Sequence, residues 1–180
     1  MTTDDIISNE PVNPEKLTKA RQIILALQEE LKTHITEGKG PFLAAVYNDN
    51  GELISKTANS VISGNCSHNH AEMNAIKEAE KVLGTYDLSP YNLSLYVTSE
   101  PCIMCLGGIL WSGIKAVYYG VPSKRVEEIT GFDEGFKPDW LNEFQKRGIT
   151  VYGQIETKAG EQVLSDYIQS GKTVYQPHRK

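Results

Sequence analysis

Apolar residues recur at intervals of three and four between positions 17 and 31. Leu17, Ala20, Ile24, Leu27 and Leu31 form one stripe with charged side chains opposite, a period that an α-helix gathers onto a single face. Pro14 suits the first turn of that helix, and Gly38-Lys39-Gly40-Pro41 stops it after about residue 36. The pattern then changes. Residues 42–47 are a continuous apolar run of strand length and Asn48-Asp49-Asn50-Gly51 is turn chemistry, so 52–61 should return as the second strand of a hairpin. The loop Ser63-Gly64-Asn65-Cys66-Ser67-His68-Asn69 leads to His70, which opens a strongly helix-forming run. Residues 93–98 alternate as a strand, 101–113 read as a helix and 116–120 as another strand. Strand, helix and strand in so short a span imply a right-handed crossover between parallel neighbours. Short helices follow over 123–129 and 139–147, separated by an irregular loop at 131–136. A fifth strand covers 149–152, and a last helix over 160–170 has Val163, Leu164, Tyr167 and Ile168 on one face. Residues 1–13 read as a polar arm. The predicted fold is α/β: a three-layer α/β/α sandwich around a five-stranded mixed sheet, one domain over residues 1–180.

Composition narrows the function classes. A chain of 180 residues buries a substantial core without staples. No apolar run approaches the length of a membrane span, and the Met-Thr-Thr-Asp-Asp start lacks the basic-then-apolar order of a secretory signal, so a soluble cytoplasmic protein is expected. A net charge of −5 without a long basic run argues against a nucleic-acid partner, because holding phosphates takes clustered cations. The basic residues Lys172, His178, Arg179 and Lys180 at the C-terminus read as a solvated tail. Three cysteines imply no disulfide framework.

The candidate chemistry lies in two short stretches, His70-Ala71-Glu72 and Glu100-Pro101-Cys102-Ile103-Met104-Cys105. One histidine and two cysteines are good zinc ligands, and three protein ligands leave a coordination position open, as catalytic rather than structural sites do. Cysteines three apart share one face of a helix, and Pro101 suits its opening. Both stretches would lie at helix N-termini, where partial positive charge favours thiolates. Residues two apart on a regular helix point apart, so spacing alone does not bring His70 and Glu72 to one ion. Taken separately, the C-x-x-C pair is equally a redox dithiol or half of a structural zinc knuckle, and His-Ala-Glu a simple helix start. A structural zinc module would have no use for Glu72. Cys66 reads as a free thiol, and His68 as a loop residue near the site.

With these motifs the chain resembles the cytidine-deaminase-like superfamily, whose signature is H-x-E followed by P-C-x-x-C, and the resemblance runs from the Leu17 helix onward. Gly40-Pro41-Phe42, Leu106-Gly107-Gly108-Ile109-Leu110-Trp111 and Gly131-Phe132-Asp133-Glu134 bring it closest to the bacterial guanine deaminase branch. The resemblance implies Zn²⁺ held by His70, Cys102 and Cys105, with Glu72 carrying protons in the hydrolysis of guanine to xanthine and ammonia. It implies that Phe42 and Trp111 line the base pocket, that Asn59 and Glu134 read the polar edge of a small nucleobase, and that the protein is a homodimer. Two positions depart from the branch: Glu134 stands where the shorter Asp is frequent, and Leu43 where Gly commonly follows the Phe. The segment 137–154 also differs from the shorter guanine deaminases. Rival substrates within the superfamily are cytosine, isocytosine, an aminotriazine, a nucleoside, and adenosine in transfer RNA.

Overall fold

The computed structural model describes residues 5–177. Helix α1 (Pro14–Thr36) starts where the Asn13 side-chain oxygen accepts the N–H groups of Glu15 and Lys16, with Pro14 in the first turn. That cap satisfies donors that have no partner within the helix. All five stripe residues are buried. Strands β2 (Leu43–Tyr47) and β3 (Leu53–Ala58) form the expected antiparallel hairpin. Strand β4 (Ser94–Ser99) joins β2 antiparallel, and β5 (Ala116–Val121) and β6 (Thr150–Gly153) extend the sheet in parallel. Helix α3 (Ile103–Ser112) is the crossover between β4 and β5.

The sheet has six strands, not five, in the order β1-β6-β5-β4-β2-β3. The added strand β1 (Ile7–Ser8) pairs antiparallel with β6 inside the stretch expected to be a polar arm. Two residues are too few to show an alternation, so no periodic signal marks them. What holds them is a polar side chain. Asn9 donates its side-chain amide to the carbonyls of Leu141 and Ile149, and its side-chain oxygen accepts the Val151 N–H.

Helices α2 (Ala71–Leu83), α3 and α5 (Trp140–Lys146) cover one face of the sheet, against Val46, Val97, Val117 and Val151. Helices α1, α4 (Ser123–Thr130) and α6 (Thr157–Gln169) cover the other. Strand β5 is therefore buried along its whole length. Beneath α1 and α6 four tyrosines from neighbouring strands, Tyr47, Tyr96, Tyr118 and Tyr152, make consecutive ring contacts, the central pair stacked with centroids 4.7 Å apart. Such cross-strand aromatic pairs fix register. Among the described residues no helix is long and apolar enough to cross a membrane.

Candidate active site

The two motifs meet at the N-termini of α2 and α3, on the α2/α3/α5 side of the sheet. His70 and Cys102 are both N-cap residues in extended conformation, so neither side chain obeys helical periodicity. This resolves the geometric difficulty of His-Ala-Glu: Glu72 lies in the first turn of α2, while His70 precedes the helix and turns toward the same point. It also corrects the reading of the cysteines, since Cys105 lies within α3 and Cys102 does not.

Packing brings the two helix ends together. Thr57 and Ser55 of β3 donate their hydroxyls to the carbonyls of Ala71 and Ala75, tying α2 to the sheet. The Asn74 side-chain amide donates to the carbonyls of Ala58 and Asn69 and to the Ser60 hydroxyl, fastening the loop that delivers His70. Helix α3 approaches closely because residue 108 is glycine: a Cβ there would come within 2.4 Å of the Met73 sulfur.

His70 Nδ1 lies 3.5 Å from Cys102 Sγ and 3.6 Å from Cys105 Sγ, and the three ligating atoms all fall within 4.8 Å of one another. A tetrahedral zinc with Zn–N of about 2.05 Å and Zn–S of about 2.3 Å requires an N···S edge of about 3.6 Å. The donor set and its spacing therefore fit that ion. The three groups also shift one another's proton affinities. Cys102 is drawn down to about 4, chiefly by its hydrogen bond with Cys105 and then by His70, in spite of burial. Cys105 is held well above the ordinary thiol range by that same hydrogen bond, by burial and by the charge of Glu72. Burial opposes a proton on His70, but the hydrogen bond with Cys102 and the charge of Glu72 outweigh it, and its pKa is raised. Binding a divalent cation would expel the protons these groups hold.

Above the cluster is a cavity of ≈ 290 Å³ lined by His70, Glu72, Cys102, Phe42, Asn59 and Glu134 among others. Its size is at the low end of ligand sites, which run from about 300 to 1,000 Å³. Glu72 is only 6% exposed; burial first, and then the charge on Cys102, pushes its carboxyl up to about 7. Burial likewise pushes Glu134 up to about 8, against the attraction of the Lys137 ammonium. Asn59 is buried, and its side-chain oxygen accepts the Val61 N–H while the residue borders the cavity. Among the described residues no lysine or arginine lines this space.

The structure brings together all the sequence-predicted residues except Trp111. Its side chain is 88% exposed on the outer surface of α3. The buried positions of that helix are Cys105, Leu106, Ile109 and Ser112, and Trp111 stands two residues, about 200°, from Ile109. Within this chain it is a surface residue, not a pocket wall. Among the wall residues not anticipated are two aromatics. Phe132 packs on Phe42 with centroids 5.6 Å apart and on Tyr175 at 4.8 Å, and all three line the cavity. Tyr175 belongs to the segment expected to be a solvated tail, of which Lys172 is indeed exposed; His178, Arg179 and Lys180 lie outside the described residues. An aromatic flanked by Val174 in a polar tail was the available signal. The Tyr175 hydroxyl is buried without a hydrogen-bond partner among the described residues. A Cβ on Gly40 would come within 2.6 Å of both that hydroxyl and the Asn59 side-chain oxygen, so glycine is what admits the pair. Cys66 is a free thiol with its sulfur 3.3 Å from His68 Nε2, and neither belongs to the ligand cluster.

Comparison with known proteins gives a consistent result. Residues 17–121 match the model of the cytidine and deoxycytidylate deaminase zinc-binding region. The chain is 37% identical over 128 residues to the guanine deaminase of Bacillus subtilis (strain 168), covering 71% of this chain and 70% of that protein. It is 40% identical over 134 residues to the tRNA-specific adenosine deaminase of the same organism, covering 73% and 78%. The structure of a guanine deaminase from Nitrosomonas europaea superposes with a TM-score of 0.78 at 34% identity, covering 87% of this chain and 93% of that one.

Proposed function

The chain belongs to the cytidine and deoxycytidylate deaminase family, and from that premise we propose that it deaminates a free aminated purine, guanine to xanthine with release of ammonia. It is a zinc-dependent hydrolase acting on the C–N bond of a cyclic amidine. The observation that carries the reading is Glu72, an acid buried in the same small cavity as the His70, Cys102 and Cys105 cluster. His70 Nδ1 and the sulfurs of Cys102 and Cys105 would hold the zinc, which when bound would supply an acidified water as nucleophile. A carboxylate oxygen of Glu72 would take one proton from the attacking water and pass it to a ring nitrogen, making the amine-bearing carbon electrophilic so that the C–O bond forms there. Glu72 would then take the second proton from the hydroxyl now on that carbon and deliver it to the amine as the C–N bond breaks and ammonia leaves. Phe42 and Phe132 offer flat apolar area, while Asn59 and Glu134 meet the ring's polar edge. Four acids line the walls, Glu72, Glu100, Asp133 and Glu134, and among the described residues no lysine or arginine does, which suits a neutral base rich in N–H donors rather than a nucleotide or an RNA backbone.

An ammonia-release screen over guanine, guanosine, adenine, cytosine, isocytosine and aminotriazines, with an adenosine-containing tRNA stem-loop as a further arm, tests the substrate. Guanine is expected to be turned over fastest, and Glu134→Ala to lower its kcat/KM by about tenfold to a hundredfold, the value of a hydrogen bond to a charged group. Equal turnover of guanine by Glu134→Ala would remove that residue from the pocket.

The reading includes a homodimer in the cytoplasm. Cys66, the cysteine outside the zinc cluster, is a free thiol, which suits a reducing compartment. On the outer face of α3, Ile103, Leu110 and Trp111 are exposed beside an apolar groove floored by Leu106, Trp140 and Phe144. A contiguous apolar surface of this kind marks an association site, and a second copy is the partner proposed. Sedimentation should give a dimer for the native chain and a monomer for Trp111→Glu; a native monomer at micromolar concentration would refute the pairing.

A further inference from the structure

Glu134 is fastened by a chain of polar contacts that begins outside the cavity. Its carboxylate accepts the Ser123 hydroxyl at 3.4 Å, and the hydroxyl oxygen in turn accepts a hydrogen bond from the Lys137 ammonium. Lys137 is also paired with Glu100 at 3.1 Å, the two side chains being only 12% and 14% exposed. The other Glu100 oxygen accepts the Ser123 N–H at 2.8 Å. Three separate elements thus meet at one cation: the turn before the cysteines, the start of α4, and the loop that carries Glu134.

An ammonium is rarely kept out of water unless its partners compensate for lost hydration. Here one carboxylate faces it directly and a second is reached through a hydroxyl, while Lys137 itself does not line the cavity. We propose that Lys137 is a positioning residue for Glu134: acting through Ser123, it sets the direction in which that carboxyl group faces the cavity and so where it meets the polar edge of the bound base. This rests on the reading of Glu134 as a base-contacting residue. Burial favours a protonated Glu134 and prevails, raising it to about 8, while the lysine's field limits that rise.

The test uses the full zinc-loaded chain. Lys137→Met, Lys137→Arg, Ser123→Ala, Glu134→Gln and the double variant Lys137→Met/Glu134→Gln are compared for kcat, KM, zinc content and thermal melting. Lys137→Met should raise KM about tenfold or more, the scale of a hydrogen bond to a charged group, with zinc content unchanged. Lys137→Arg should recover most of the loss, and Ser123→Ala, which leaves the Lys137–Glu100 pair in place, should reproduce part of it. In the Glu134→Gln background, Lys137→Met should add nothing, because no carboxylate is left to hold. The same loss in both backgrounds, a loss of zinc, or an unchanged KM would overturn the proposal. Should Lys137→Met fail to fold, an unchanged KM in Ser123→Ala overturns it equally. A silent Glu134→Gln would bring down the base-contacting role and this inference with it, whereas an impaired Glu134→Gln beside a silent Lys137→Met defeats the inference alone. If another base proves to be the substrate, the guanine assignment falls and the same variants are judged on that base.

Discussion

Glu72→Gln should retain zinc, keep the fold and lose ammonia release by about 10³-fold or more, within the range by which a positioned general acid and base accelerates proton transfer. Gln is nearly isosteric, so the wall of the cavity is preserved, and as a neutral group it removes the cost of holding a carboxylate in a site where burial pushes its pKa up to about 7. What it cannot do is accept a proton and return it. The sign of the pH effect follows. Glu72 must begin the cycle as a carboxylate, so kcat/KM of the native enzyme should fall towards acid pH as that carboxyl takes up a proton; burial raises its pKa, and a zinc ion beside it would lower it again. Folded-state stability runs the other way: a carboxyl raised above its unfolded value contributes most below the unfolded pKa, and that contribution is lost as pH rises through about 7. Glu72→Gln should therefore melt no lower than the native chain at pH 8. Full turnover of the true substrate by Glu72→Gln, with zinc retained, would exclude the mechanism; so would a pH profile of the zinc-loaded enzyme with no fall on the acid side.

Cys105→Ser should deplete the purified protein of zinc and take activity with it. Altering partners around the ligands of a metal commonly costs about 10- to 100-fold in affinity; losing a buried thiolate that is itself a ligand should cost at least about 100-fold, read by competition with a chromogenic chelator. Because His70 and Cys105 both hold their protons above the ordinary range, zinc must displace them, and its affinity should weaken as pH falls. The fold is expected to survive. The two helix ends are tied to the sheet by Thr57, Ser55 and Asn74 and packed through Gly108, none of which needs the ion. Circular dichroism of Cys105→Ser should accordingly keep the helix and sheet signature. Cooperative unfolding on metal loss would instead mark a purely structural zinc module, and a titratable disulfide between Cys102 and Cys105 in zinc-free native protein would mark a redox dithiol.

The elements legible in the chain are those with a long or clean period. The Leu17 to Leu31 stripe, the hairpin at Asn48-Asp49-Asn50-Gly51 and the crossover through α3 all occur where the pattern places them. The metal cluster was legible for another reason: His, Cys and Cys are few, and their neighbours, Glu72 and Pro101, fit one chemistry. Strand β1 left no trace because a two-residue strand has no period, and what pins it is the side chain of Asn9 reaching three carbonyl and amide groups near the distant end of the chain. Trp111 does not reach the cavity of its own chain because position in a motif does not say which side of α3 faces inward; packing of Ile109 and Cys105 against the core does.

By itself, then, the order of residues determined the layers, the parallel crossover and the identity of the groups able to grip a cation, since these depend on local period and on side-chain chemistry. Tertiary structure decided which groups share a space. It turned His70 and Glu72 to one point by placing the first before its helix, brought Tyr175 back from the C-terminus against Phe132, and buried Lys137 beside Glu100. Those outcomes rest on contacts between segments far apart in the chain, and no local pattern encodes a distance across the fold.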